Sequence, residues 1–110
     1  MSNIKLENLE IDGYMIYQDK DSFNFGIDAV LLANFALRES SHSLPHQICD
    51  FCTGSLPIPL IMYAKRKMFL GDNVKFLAFE IDKEQVELCN KSIEYNKENV
   101  EDAKNIRFKL

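Results

Sequence analysis

At 110 residues, with 46% hydrophobic and 27% charged side chains, four glycines and three prolines, the chain has ordinary globular composition. That excludes collagen-like and disordered classes, and the absence of a run of about 18 apolar residues excludes a transmembrane helix and leaves room for one domain. Thirteen Lys and Arg against seventeen Asp and Glu give a net charge of −4, which argues against a free-standing nucleic-acid binder that works by phosphate neutralisation. No basic segment followed by an apolar stretch opens the chain, so a cytoplasmic location with three reduced cysteines is expected.

In chain order, Leu9 and Ile11 lead into Asp12-Gly13 and then Tyr14, Ile16 and Tyr17. Asp-Gly between alternating apolar residues predicts a hairpin with a type I′ turn. From Ile27 to Leu37 the apolar residues cover nearly the whole circumference at helical spacing, which predicts a helix buried on most sides, with Asp28 in its first turn. The polar, proline-containing stretch 39–46 is expected as a surface loop. Gln47 to Cys52 reads as a strand ending in a Thr53-Gly54 turn. A helix follows, with Pro59 at its first position, Leu60, Tyr63, Ala64 and Met68 on one face, Lys65-Arg66-Lys67 as a solvated end and Gly71 as the stop.

Val74 to Ile81 is apolar on both alternating sets apart from Lys75 and Glu80, the pattern of a strand covered on both faces in a parallel sheet. Asp82 and Gln85 fit an N-cap and its partner, and Val86, Cys89 and Ile93 predict the inward stripe of a helix ending near Asn96. Residues Ile106 to Leu110 are expected as a third strand. Together these give an α/β fold: a hairpin and helix over residues 1–40, then a β-α-β-α-β run over 47–110, the start of a Rossmann-like doubly wound sheet.

Ligands of such sheets lie beyond the carboxyl ends of the strands, so the informative segments are Asp50 to Leu56 and Glu80 to Asp82. The first has the register of the loop D-x-G-x-G-x-G and keeps its middle glycine, Gly54. Glu80 closes the next strand, where a carboxylate can accept both ribose hydroxyls. The pair suggests a cofactor that contains adenosine. A competing pattern is H-x3-H-x2-C-x2-C, formed by His42, His46, Cys49 and Cys52, which has metal-ligand or redox spacing. Against it, positions three apart on a strand point to opposite faces. Tyr14, Tyr17, Phe23 and Phe25 are candidates for base stacking, with core packing the simpler reading.

The segment from Gly13 to Ala36, ending in FGIDAVLLANFA, then CDFCTG, PLIMYAK and FEID, resembles the S-adenosylmethionine-dependent methyltransferases that modify the N6 amine of adenine in tRNA(Val). The resemblance spans about Leu6 to Leu110, and FGIDAVLLANFA followed by D-x-C-T-G is its most specific part. It implies that Gly26 and Asp28 lie beside the methionine end of S-adenosylmethionine, and that Asp50, Thr53 and Gly54 form the loop beneath it. Glu80 would hold the ribose, with Ile81 against the adenine, and tRNA would be the substrate.

The sequence departs from the family at two places. Leu56 and Pro57 stand where a glycine and an apolar residue are expected, bringing a side chain toward the ligand and deleting an N–H donor. The Asn/Asp-Pro-Pro-aromatic tetrapeptide that receives the target amine in such enzymes is absent, so no catalytic residue is assigned and the chain reads as the cofactor-binding half or a non-catalytic remnant. Without a fourth strand beside it, the strand at 47–52 would present a bare apolar edge, through which a homodimer is expected.

Overall fold

A computed structural model describes residues 3–21, 26–45, 47–71, 74–106 and 108–110. Strands β1 (Ile4–Asn8) and β2 (Met15–Asp19) pair antiparallel. The Ile11–Tyr14 turn between them closes with the Tyr14 amide on the Ile11 carbonyl at 2.9 Å. Its central residues, Asp12 and Gly13, have φ of 48° and 86°, the two positive values that a type I′ turn requires.

Helix α1 (Ile27–Ser40) buries only Ala33 and Leu37 completely. The sequence reading of a helix buried on most sides is therefore corrected: Ile27, Leu31, Leu32 and Phe35 lie in solvent, and α1 packs chiefly on α2 and α3, across one side. The helix also runs to Ser40, so the expected loop is confined to the following residues. Strand β3 (Gln47–Phe51) leads to α2 (Pro57–Ala64), where Pro57 rather than Pro59 takes the first helical position. After a break at Lys65 comes the single turn α3 (Arg66–Phe69), and Gly71, at φ 81°, ends the segment. Leu60, Tyr63 and Ala64 are buried as expected, whereas Met68 falls on α3 and is exposed.

Strand β4 (Lys75–Phe79), helix α4 (Lys83–Asn99), a short 3-10 turn (Glu101–Ala103) and strand β5 (Phe108–Lys109) complete the chain. Asp82 caps α4 by accepting the Glu84 amide at 2.9 Å. The inward stripe of α4 is Leu88, Cys89, Ser92 and Asn96; Val86 and Ile93 lie at its margins. Ser92 and Asn96 are polar because they face backbone: the Asn96 amide accepts the Met15 N–H at 2.9 Å and donates to the Met15 carbonyl at 2.8 Å, while Ser92 accepts the Tyr17 N–H at 2.8 Å. These side chains stand in for a third strand along the free edge of β2 and seat the hairpin on α4.

The second sheet is parallel, in the order β3-β4-β5, with Ile48 beside Phe76 and Phe76 beside Phe108. One face of it is the core. Tyr63 of α2 meets the rings of Phe76 and Phe108 edge-on at 6.1 and 5.5 Å. The opposite face is open: Gln47, Cys49 and Phe51 on β3 and Lys75 and Phe79 on β4 are exposed, and Leu77 is half-buried. The expectation that both faces of β4 are covered is thus overturned. Two right-handed crossovers that advance in the same direction lay their helices on the same side of a sheet, which leaves the other side bare. The outer edge of β3 also has no strand partner among the described residues.

Candidate functional site

The loop that follows β3 carries an unusual backbone. Cys52, Gly54 and Leu56 have φ of 59°, 62° and 83°, values in the left-handed region that disfavours side chains. These are the three glycine positions of D-x-G-x-G-x-G, so the backbone alternation is present although glycine occupies only the middle one. Leu56 does not project into the site as its sequence position suggested. Its side chain is 0% exposed and packs in the core beneath α2. Pro57 opens α2 and supplies no N–H to the cavity.

Hydrogen bonds fix this loop from both sides. The Thr53 hydroxyl donates to Asp50 at 2.6 Å, and the Thr53 amide donates to the Phe79 carbonyl at 2.9 Å. Glu80 accepts the Gly54 amide on Oε1 at 2.8 Å and the Asp82 amide on Oε2 at 3.0 Å. Each of its oxygens keeps a lone pair for a ligand. The Cys89 thiol reaches the Gly54 carbonyl at 3.0 Å from below. Burial, with the nearby charges of Glu80 and Asp50 adding to it, pushes this thiol up to about 12, so Cys89 is an inert core residue. Burial also raises the Asp50 carboxyl above its ordinary value, and the Thr53 hydrogen bond opposes that without cancelling it.

A cavity of about 300 Å³ opens between the N-terminal turn of α1 and this loop; Asp28, Ala29, Leu32, Asp50, Thr53, Gly54, Pro57 and Ile58 are among its walls. Four of the seven sequence candidates, Asp28, Asp50, Thr53 and Gly54, therefore share one cavity. Gly26 is the N-cap of α1, where an added Cβ would stand 3.1 Å from the Asp28 carboxylate. Glu80 reaches the loop through its hydrogen bond to Gly54. Ile81 follows it with 97% of its surface exposed, an isoleucine that the core does not use.

The competing sets are distributed differently. Cys49 and Cys52 are both exposed thiols, and among the described residues no group of three His, Cys, Asp or Glu side chains converges as a metal site. His46, Phe23 and Phe25 lie outside the described residues. Tyr14 is fully buried, and Tyr17 packs edge-on against Tyr95 at 6.2 Å. Sequence reasoning missed Arg66, assigned to a solvated helix end but 6% exposed. Its Nη1 donates to Asp102 Oδ2 and to the Tyr63 carbonyl, both at 3.0 Å, and its guanidinium lies 3.8 Å from the centre of the Tyr63 ring. Tyr14 and Lys67 also donate to Asp102, at 2.9 and 2.7 Å. The sole signal for this cluster was an arginine three residues after a core tyrosine, and its carboxylate lies 36 residues away.

Neither the family models nor the curated proteins with which the sequence was compared gave a match. Among the described residues no helix is long and apolar enough to cross a membrane.

Proposed function

We propose that this chain is the cofactor-binding part of a cytoplasmic S-adenosylmethionine-dependent methyltransferase acting on an adenine N6 amine in tRNA. The observation that carries this reading is the alternation of positive φ at Cys52, Gly54 and Leu56 directly after Asp50, the backbone that a glycine-rich cofactor loop at the first strand of a Rossmann-like sheet encodes. The residues around the cavity fit the group. Its volume of about 300 Å³ is at the lower end of small-molecule sites. Two carboxylates, Asp28 and Asp50, facing apolar walls suit a ligand with cationic sulfur and amine on a short apolar chain. Beyond Gly54 and its two chain neighbours, no heavy atom lies within 4 Å of where a Gly54 Cβ would stand, so a ligand can approach that backbone closely.

In this reading Glu80 uses its remaining lone pairs for the ribose hydroxyls, and Ile81 gives the adenine an apolar surface. Bound S-adenosylmethionine supplies an electrophilic methyl group on a positively charged sulfur; the chain's own residues bind and orient it. No residue is assigned to the target amine, because the sequence has no Asn/Asp-Pro-Pro-aromatic tetrapeptide. The open sheet face and the bare β3 edge support self-association of the chain. They also favour a second reading, a non-catalytic interaction module.

Calorimetric titration with S-adenosylhomocysteine separates the two. Binding that weakens at least tenfold in Asp50→Ala supports the cofactor site, and the absence of any heat leaves the interaction module. Transfer of labelled methyl to tRNA by the 110-residue chain would overturn the absence of catalytic machinery.

A further inference from the structure

Two surfaces of this chain lie bare, and they are of complementary kind. One is helical: Ile27, Leu31 and Phe35 recur at every fourth residue of α1 with Leu32 beside them, each between 52% and 75% exposed. That spacing places them on one face. The other is flat: on the open face of β3 and β4, the rings of Phe51 and Phe79 stack with centroids 5.1 Å apart and planes 12° apart, while remaining 72% and 46% exposed. A helix stripe and a sheet face are the two layers that commonly bury each other. Within one chain they do not meet, because α1 uses its Ala33 and Leu37 side to pack on α2 and α3.

At roughly 150 to 200 Å² for a large apolar residue in full contact with water, these six side chains leave on the order of 600 Å² bare. A stable interface buries about 800 Å² per partner, polar rim included. The area is thus close to what one dimer contact consumes. Resting on the reading that the chain self-associates, we propose that two copies form a two-fold dimer in which the α1 stripe of each lies on the open sheet face of the other. Two-fold symmetry satisfies both surfaces at once, since every contact occurs twice. Pairing the two β3 edges, the mode expected from sequence, extends the sheet but leaves both stripes and both faces in water. It therefore removes less apolar surface.

Sedimentation velocity over a concentration series, with the full chain, tests this. Wild-type protein is expected to dimerise. Leu31→Glu on the stripe and Phe51→Lys on the sheet face each place a charge in both contacts, so each variant alone is expected to be monomeric while keeping the helical circular-dichroism signal of the wild type, with the lower, concentration-independent melting temperature that loss of a dimer brings; Phe79→Lys replaces Phe51→Lys if the latter loses that helical signal. An equimolar mixture of the two variants is expected to return to dimer, because it keeps one native contact and sets Glu against Lys in the other. A wild-type chain that stays monomeric overturns self-association altogether. A dimer that survives the sheet-face substitution, or a mixture that stays monomeric, overturns this mode and leaves edge pairing.

Discussion

Glu80 accepts the Gly54 amide at 2.8 Å and the Asp82 amide at 3.0 Å, one on each carboxylate oxygen. One side chain at the end of β4 thereby ties the loop after β3 to the start of α4, and any ligand over Gly54 meets an already fixed backbone. Hydrogen bonds to an ionised group contribute about 1.5 to 3 kcal/mol when protected from water, and less for a half-exposed carboxylate. Glu80→Ala is expected to lower stability by about 1 to 2 kcal/mol and to weaken S-adenosylhomocysteine binding. Glu80→Gln retains one acceptor and is expected to fall between. Thermal melts and calorimetry on the same samples check both.

The positive φ values at Cys52 and Leu56 carry opposite consequences for substitution by glycine. An L residue in this region costs roughly 1 to 2 kcal/mol, against about 0.5 to 1 for the added freedom of glycine when unfolded. Cys52 is exposed, so Cys52→Gly is expected to stabilise by about 0.5 to 1 kcal/mol and Cys52→Val to destabilise. Leu56 is fully buried, and the loss of its side chain outweighs the relief. Leu56→Gly is expected to destabilise by about 2 kcal/mol or more. Urea denaturation of the three variants decides; a Cys52→Gly variant less stable than wild type would remove the strain argument.

Local patterns sufficed for the hairpin turn, the Asp82 cap, the Gly71 stop and the parallel strands, because each is set by neighbours within a few residues. Asp50, Thr53 and Gly54 were legible as a candidate set for a related reason: a strand end and the turn behind it bring such residues to one edge of a sheet, whereas Asp28, in the first turn of α1, was set beside them by the family resemblance alone. What was not legible depends on the third dimension. The apolar circumference of α1 and the two-sided pattern of β4 state that these surfaces are suited to burial, without stating which molecule buries them. Arg66 and Asp102 lie on separate elements, and no periodicity links them.

Burial holds the Asp50 carboxyl above its ordinary value, and the sign of its effect follows. The folded chain binds more protons than the unfolded one between the two pKa values, so stability falls as pH rises through that window and the deficit persists at neutral pH. Asp50→Asn keeps an acceptor for the Thr53 hydroxyl. It is expected to raise the melting temperature at pH 7, to leave it unchanged at about pH 3, and to weaken cofactor binding. Equal melting temperatures of the two proteins at pH 7 would contradict the assigned desolvation.

Asp102 behaves in the opposite sense. Partial burial raises its carboxyl, but hydrogen bonds from Lys67, Tyr14 and Arg66 outweigh this and hold it below its ordinary value. Its contribution is present above the unfolded carboxylate pKa and is lost as pH falls through the folded one. Removing it would take from the buried Arg66 guanidinium the carboxylate to which Nη1 and Nη2 donate, and such losses reach 3 to 5 kcal/mol when fully buried. With the Asp102 side chain 27% exposed, Asp102→Ala is expected to cost about 2 to 3 kcal/mol. The acid limb of its stability profile is expected to flatten relative to wild type, as followed by circular dichroism from neutral pH downward.

The three cysteines provide a test of packing at the site. Cys49 and Cys52 are exposed and Cys89 is buried, with its thiol at about 12 through burial and the charges of Glu80 and Asp50. Only the thiolate reacts with a disulfide reagent, so Cys89 is protected both by access and by ionisation. Titration with an aromatic disulfide at mildly alkaline pH is expected to consume two thiols rapidly and the third at a rate that follows unfolding, rising with urea alongside loss of helical signal. In Glu80→Ala the loop over Cys89 loses its clamp and one of the charges that suppress the thiolate. The third thiol of that variant is expected to react faster without urea, and an unchanged rate would mean that Cys89 is sealed by α4 and the core rather than by the cofactor loop.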